Sequence, residues 1–366
     1  MKIPCYLLFL LSHFFTAQLY AQGSSASVVK SGLSDANKIF GAYLSPMLTG
    51  WSSGLNNNWY TTAKPHGLGG FDITVSAGGF FVPEHAMTYN PNNLKLENAQ
   101  PSPGVNSMRA PTIFGSPEAG PKMDVFYHTP VKDFAVGSFN LPAGTGYYFF
   151  PSIPNIQLNF GVIKNTELMV RFIPNVNLHD IQSHVYGIGI KHDLKQWITG
   201  IKKTAFDFSG VAAYSITGAE YLIPEVHRLY PDDNSYPGAQ QKSFYDNQRF
   251  GMQTNAWLLA IVLSKKMKFF TPYAGFSYNH TFIRFKVLGN YPMPVYEPLT
   301  SPIKPTIKNV NDPITLEVTD NAMRLNIGAR IKFYYTTIHF EYTIARFNTI
   351  TAGLGFNLQS LHPFVR

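Results

Sequence analysis

Cysteine is almost missing. The one residue, Cys5, lies in the opening segment, so residues 22–366 hold none and no disulfide framework is available to the fold. Charge is scarce as well: 14 % of residues are charged, against roughly 25 % in ordinary soluble domains. After the first residues no apolar run approaches the ~18 that a transmembrane helix needs, which excludes a helical membrane protein. No Cys/His cluster has zinc spacing and no Asp-rich loop matches a calcium hand, so no metal or other cofactor is expected. Asp232-Asp233 reads as a solvated acidic turn. Basic residues give a net charge of +8, but they are scattered, which argues against nucleic acid as a partner.

Aromatics are plentiful instead, at 15 %, with 29 glycines and 26 prolines. Met1 and Lys2 precede the apolar run Ile3–Leu11, and Leu19-Tyr20-Ala21 offers a small residue before Gln22. That is the build of an export signal over residues 1–21. Cys5 stands at the start of the run, not just after it, which disfavours a lipoprotein. An exported, aromatic-rich, charge-poor chain without membrane helices points to a transmembrane β-barrel. A large secreted β-sandwich is the competing fold.

The last part of the chain carries the pattern most plainly. Met323, Leu325, Ile327, Ala329, Ile331 and Phe333 alternate with Arg324, Asn326, Gly328, Arg330 and Lys332. Eleven residues at about 3.3 Å make a segment of roughly 36 Å, which at a tilt of about 45° spans ~25 Å, the height of a barrel's apolar band. Ile338, Phe340, Tyr342 and Ile344 then oppose Thr337, His339, Glu341 and Thr343. Ile350, Ala352, Leu354, Phe356 and Leu358 oppose Thr349, Thr351, Gly353, Gly355 and Asn357. Short joints at 334–335 and 345–347 suit hairpins. A slip of one residue would turn Arg324, Arg330 and Lys332 into lipid, at ~2–4 kcal/mol each near the midplane. Weaker alternation at 71–77, 156–162 and 168–172, with candidates near 122–136, 183–191, 204–217, 250–264 and 267–287, brings the expected count to about 10–12 antiparallel strands.

Residues 34–48 read as a helix with Ser34 as N-cap. Residues 22–68 are expected either to plug the barrel or to close its periplasmic mouth; a helix packed on the outside is the alternative. The barrel is expected over 69–358, followed by a tail at 359–366. A short basic amphipathic helix at 193–203 is expected to lie at the membrane surface or against the rim. Long connections near 83–121, 218–249 and 288–313 are candidates for function.

Several phrases resemble an outer-membrane barrel family of Bacteroidota-type bacteria, the domain-of-unknown-function family numbered 6588. They include Gly54-Leu55-Asn56-Asn57-Asn58-Trp59-Tyr60-Thr61-Thr62-Ala63-Lys64-Pro65-His66, Glu167-Leu168-Met169-Val170-Arg171-Phe172 and Gly187-Ile188-Gly189-Ile190-Lys191-His192. The resemblance implies an outer-membrane location and supplies no reaction. In organisation alone, a helical segment before a barrel is similar to the long-chain fatty-acid channels.

Arg324, Arg330, Lys332, His339 and Glu341 share the polar face and are the candidate lumen residues. Either they form a cationic stripe favouring anionic or amphipathic solutes, or they close a self-satisfied core in which Glu341 pairs with an arginine. Three roles follow: passage or surface capture of a small hydrophobic or anionic solute, a surface binding or adhesion module anchored by the barrel, and an outer-membrane lipid hydrolase. The last would need His280 beside an activated serine, and no serine motif supports it, so no enzyme is expected. The expected partners are outer-membrane lipid and lipopolysaccharide, and the expected state is a monomer.

Overall fold

The computed structural model describes residues 28, 31–104, 108–128, 132–152, 154–178, 180–231, 233–296 and 305–358. The export signal, the tail at 359–366 and Asp232 lie outside these residues. Ten strands form one closed antiparallel wall: β1 (Phe71–Phe81), β2 (Asn155–Ile163), β3 (Thr166–Leu178), β4 (Ile181–Asp193), β5 (Asp207–Leu222), β6 (Arg249–Ser264), β7 (Phe270–Leu288), β8 (Ile314–Phe333), β9 (Thr336–Ile344) and β10 (Thr349–Leu358). Each pairs with its neighbour in sequence, and β10 returns to β1 with Phe71 opposite Leu358 and Phe80 opposite Thr349. Closure removes the free edges that would otherwise template aggregation.

The outer face carries an apolar belt. Ile73, Ile188, Leu259, Ile261, Phe276, Ile327, Phe340 and Leu354 are all more than two-fifths exposed. Aromatic rings flank it. Phe206, Phe269, Phe333, Tyr335 and Phe356 stand at one rim, and Phe172, Tyr186, Tyr214 and Trp257 at the other. No second sheet covers this band among the described residues, and an apolar band between aromatic girdles is the exterior of a membrane-spanning barrel, not of a sandwich.

The two ends differ. At one, the strands are joined over 164–165, 265–269 and 334–335, with a longer link over 194–206. At the other, the described residues of 82–154, 223–248 and 289–313 build a cap. Strand Lys122–His128 pairs with Ala99–Pro101 on one side and Asp133–Asn140 on the other, so the segment expected near 122–136 belongs to the cap and not to the wall. The third long connection is no irregular loop: Asn290–Tyr296 and Pro305–Asn311 form a hairpin that extends β7 and β8. Nor is 193–203 an α-helix. Asp193 is still paired in β4 with Ser209, and only one 3-10 turn, Lys195–Trp197, follows, with Trp197 laid against the His192 ring at 4.8 Å.

The helix α1 spans Leu33–Leu55 and lies inside the wall. Ser34 is not its N-cap: Gly32 precedes the helix at φ 93°, and the Ser34 hydroxyl donates to Glu97. Asp35, fully buried, instead accepts from the amides of Glu97, Asn98 and Ala99 at 2.7–2.9 Å and fastens the helix start to the cap. Small residues let the helix sit close to the wall. A Cβ on Gly50 would fall 2.2 Å from the Phe80 ring. Phe80 in turn packs edge-on against Phe114 and Phe347. Tyr43, Leu44 and Leu48 share one core with Ile283, Phe285, Ile314 and Leu316.

Candidate functional site

What fills the lumen is the chain itself. Contacts along β8 advance in step with the sequence of the filling segment: Gly41 lies by Leu316, Ser52 bonds Asp320, Asn57 bonds Arg324, and Tyr60 bonds Asn326. Thr62 then reaches Ser264 at the end of β6, and Gly69 bonds Gly161 near the end of β2. Residues 31–68 therefore enter at the capped end and cross the whole barrel to the short-turn end. There the chain turns back as β1. Of the three places expected for this segment (plug, periplasmic mouth or outside), its described residues lie inside.

Two buried polar clusters hold the thread. In the first, Arg171 of β3 donates from Nε to Gln157 at 2.7 Å, from Nη1 to the Leu55 carbonyl at 3.0 Å and from Nη2 to the Asn57 carbonyl at 2.5 Å. Its guanidinium lies 3.8 Å from the centre of the Trp59 ring, a cation–π contact in a site closed to water. Helix ends leave carbonyls without intrahelical donors, and Arg171 satisfies one at Leu55. Asn58 takes φ 61° here and donates to Ser76 at 2.8 Å, so the chain bends from helix to extended segment.

In the second, Glu167 meets His66 at 2.6 Å and Lys191 at 2.9 Å. The His66 amide also donates to Glu167, and the Asn357 side chain donates to His66 Nε2 at 2.5 Å. A ring that accepts at Nε2 donates from Nδ1, so the Nδ1–H faces Glu167. Asn357 also donates to Asp72, which pairs with Arg330 at 3.1 Å.

The five residues expected in the lumen all lie on the inner face. Arg324 is buried and bonds Asn57; Arg330 is buried and bonds Asp72; Lys332, at the short-turn rim, bonds Asn357. His339 packs over Gly353, where a Cβ would come within 2.2 Å of the ring. Glu341 accepts from Asn326 at 3.0 Å, and no arginine side chain bonds it among the described residues. They do not meet as one stripe: filling residues and strand neighbours separate them. His280 faces outward, with Nδ1 2.7 Å from Asn321 and its ring against Trp257.

Sequence reasoning missed Asp72, Glu167, Arg171 and Lys191. The signal was parity. Glu167, Met169 and Arg171 alternate with lipid-facing Val170 and Phe172, yet the short apolar reading of 168–172 hid the two charged residues.

The sequence matches the model of a family of unknown function (DUF6588) over residues 1–358. The chain belongs to that family. No curated protein matches it. Among solved structures it is similar to Ail of Yersinia pestis, at 6 % identity and TM-score 0.25, over 80 % of this chain and 98 % of that one. It is similar to the translocator domain of autotransporter NalP from Neisseria meningitidis at 10 % and 0.28, over 86 % and 94 %. A Pseudomonas aeruginosa FadL homologue stands at 10 % and 0.27, over 87 % and 98 %.

Proposed function

We propose that this protein is an outer-membrane anchor with a closed bore, and that its capped end is a surface module which binds a partner or captures a small solute. The observation that carries the reading is the segment 31–68 lying through the lumen, fixed by buried Arg171, Arg324 and the Glu167–His66–Lys191 cluster. Breaking such a buried charge pair costs about 3–5 kcal/mol, so routine displacement of the segment by a passing solute is costly. The membrane belt supports an outer-membrane location, with the long connections outward and the short turns facing the periplasm.

The cap supports the binding role. It has its own buried core of Met123, Val125, Phe139 and Leu141, joined to Ile39 of α1, and it exposes Phe134, Tyr148 and Val226. Long structured connections held on a rigid scaffold are where binding function usually resides. The reading is non-enzymatic.

Purified protein in a planar bilayer tests it. No openings are expected at any voltage, whereas steady conductance would overturn the closed bore. In the same preparation, mobility on gels with and without boiling reports whether the barrel is folded.

A further inference from the structure

On the outer wall, just above the aromatic rim at the capped end, strands β3 to β7 enclose a depression of roughly 670 Å³. Gly218 and Gly251 are among its lining residues. Both point outward: the His184 ring covers Gly218 and the Leu288 side chain covers Gly251. Gln182, Asn177, Gln253 and Asn255 contribute amides, and Arg284 and Lys286 contribute cations on the face that carries Tyr278. The one lining acid, Glu220, is held by Arg249 at 3.2 Å, and Arg284 is held by Glu317 at 2.8 Å. Lys286 has neither kind of ion-pair partner among the described residues.

Directly below the depression the same strands turn apolar, at Tyr186, Ile216, Trp257 and Leu259, each more than a third exposed. A polar hollow continuous with a lipid-facing wall fits an amphiphile whose head bears anions and hydroxyls and whose tails run down the belt. A free polar solute would make no use of that wall. Arginine and lysine supply donors for phosphate, and amides pair with sugar hydroxyls.

We propose that this hollow binds the phosphorylated sugar headgroup of an outer-leaflet glycolipid, with Lys286 as its unpaired phosphate contact. The inference rests on the outer-membrane reading above but not on the closed bore.

The full-length protein in detergent is titrated with a bisphosphorylated disaccharide glycolipid, with its dephosphorylated counterpart and with inorganic phosphate, and bound species are counted by native mass spectrometry. One phosphorylated molecule per chain is expected, bound about ten-fold more tightly than the dephosphorylated one. Lys286→Gln is expected to weaken it about five-fold, the effect of one cation near a membrane surface. Lys265→Gln, at the opposite end, is expected to match the parent protein. Equal affinity for the two glycolipids, an unchanged Lys286→Gln, or displacement by inorganic phosphate would each overturn the proposal. Each variant is checked for its unboiled gel shift. Absence of that shift in the parent protein counts against the barrel anchor itself, and its loss in Lys286→Gln alone moves the test to Gln253→Glu, where weakened binding is expected and unchanged binding overturns the site.

Discussion

At the scale of single residues, Glu167 is the member whose loss strands the most charge. It faces Lys191 and His66 in a site closed to water, so Glu167→Gln leaves a buried ammonium without its counter-ion. A destabilisation of about 3–5 kcal/mol is expected, read as a lower temperature for loss of the unboiled gel shift. Lys191→Met added to Glu167→Gln is expected to recover part of it, because the stranded charge is then gone. A milder effect belongs to His128 in the cap, whose Nδ1 lies 2.9 Å from Asp133 and whose Nε2 lies 2.9 Å from the Glu97 carbonyl. Two oxygen partners, the Asp133 carboxylate foremost, favour the doubly protonated ring and raise its pKa from 6.5. With the folded value raised, the contribution is complete below about 6.5 and fades as pH climbs through the raised value. Hydrogen exchange at Ala99–Pro101 is expected to quicken across that window and to lose its pH dependence in His128→Ala.

At the scale of elements, the strands of the belt were readable because water and lipid impose opposite demands on alternate residues. Full strand length was not, and β8 shows why. From Arg324 to Lys332 its inner face is polar and its outer face apolar. From Ile314 to Val318 the pattern persists but its sense inverts, since Ile314 and Leu316 pack on α1 while Thr315 and Glu317 face out above the membrane. The strand β7 inverts likewise between Tyr278 and Arg284. A reader following one apolar face loses the strand where the lumen stops holding polar chain and starts holding a helix. The helix itself was legible from its stripe, but its place inside depended on small residues that stripe analysis ignores. Gly50→Leu is expected to drive into Phe80 and cost about 1–3 kcal/mol, measurable by denaturant unfolding in detergent. Of the lumen set, Arg324 and Arg330 were visible by parity; their partners Asn57 and Asp72 were not, because pairing across more than 250 residues leaves no local trace.

At the scale of the whole molecule, the thread starts at the capped end and β10 finishes at the short-turn end, so residues 31 and 358 lie at opposite ends of the barrel. In the proposed orientation, with the long connections outward, Ser34 is expected at the cell surface. In a Cys5→Ala background, Ser34→Cys is expected to react with an impermeant maleimide on intact cells. Lys203→Cys, in the link between β4 and β5, is expected to react only after the envelope is opened. Labelling in the reverse order would invert the assignment of faces.

The same path constrains how the molecule is made. The stave that follows the thread, β1, is also one lip of the seam with β10, so filling and closing involve the same stretch of chain. A finished cylinder would have to pull a free end through a passage lined by buried arginines. Wrapping the staves around a segment already laid in place avoids that, and the zipping of Phe71 against Leu358 then becomes the step that imprisons it.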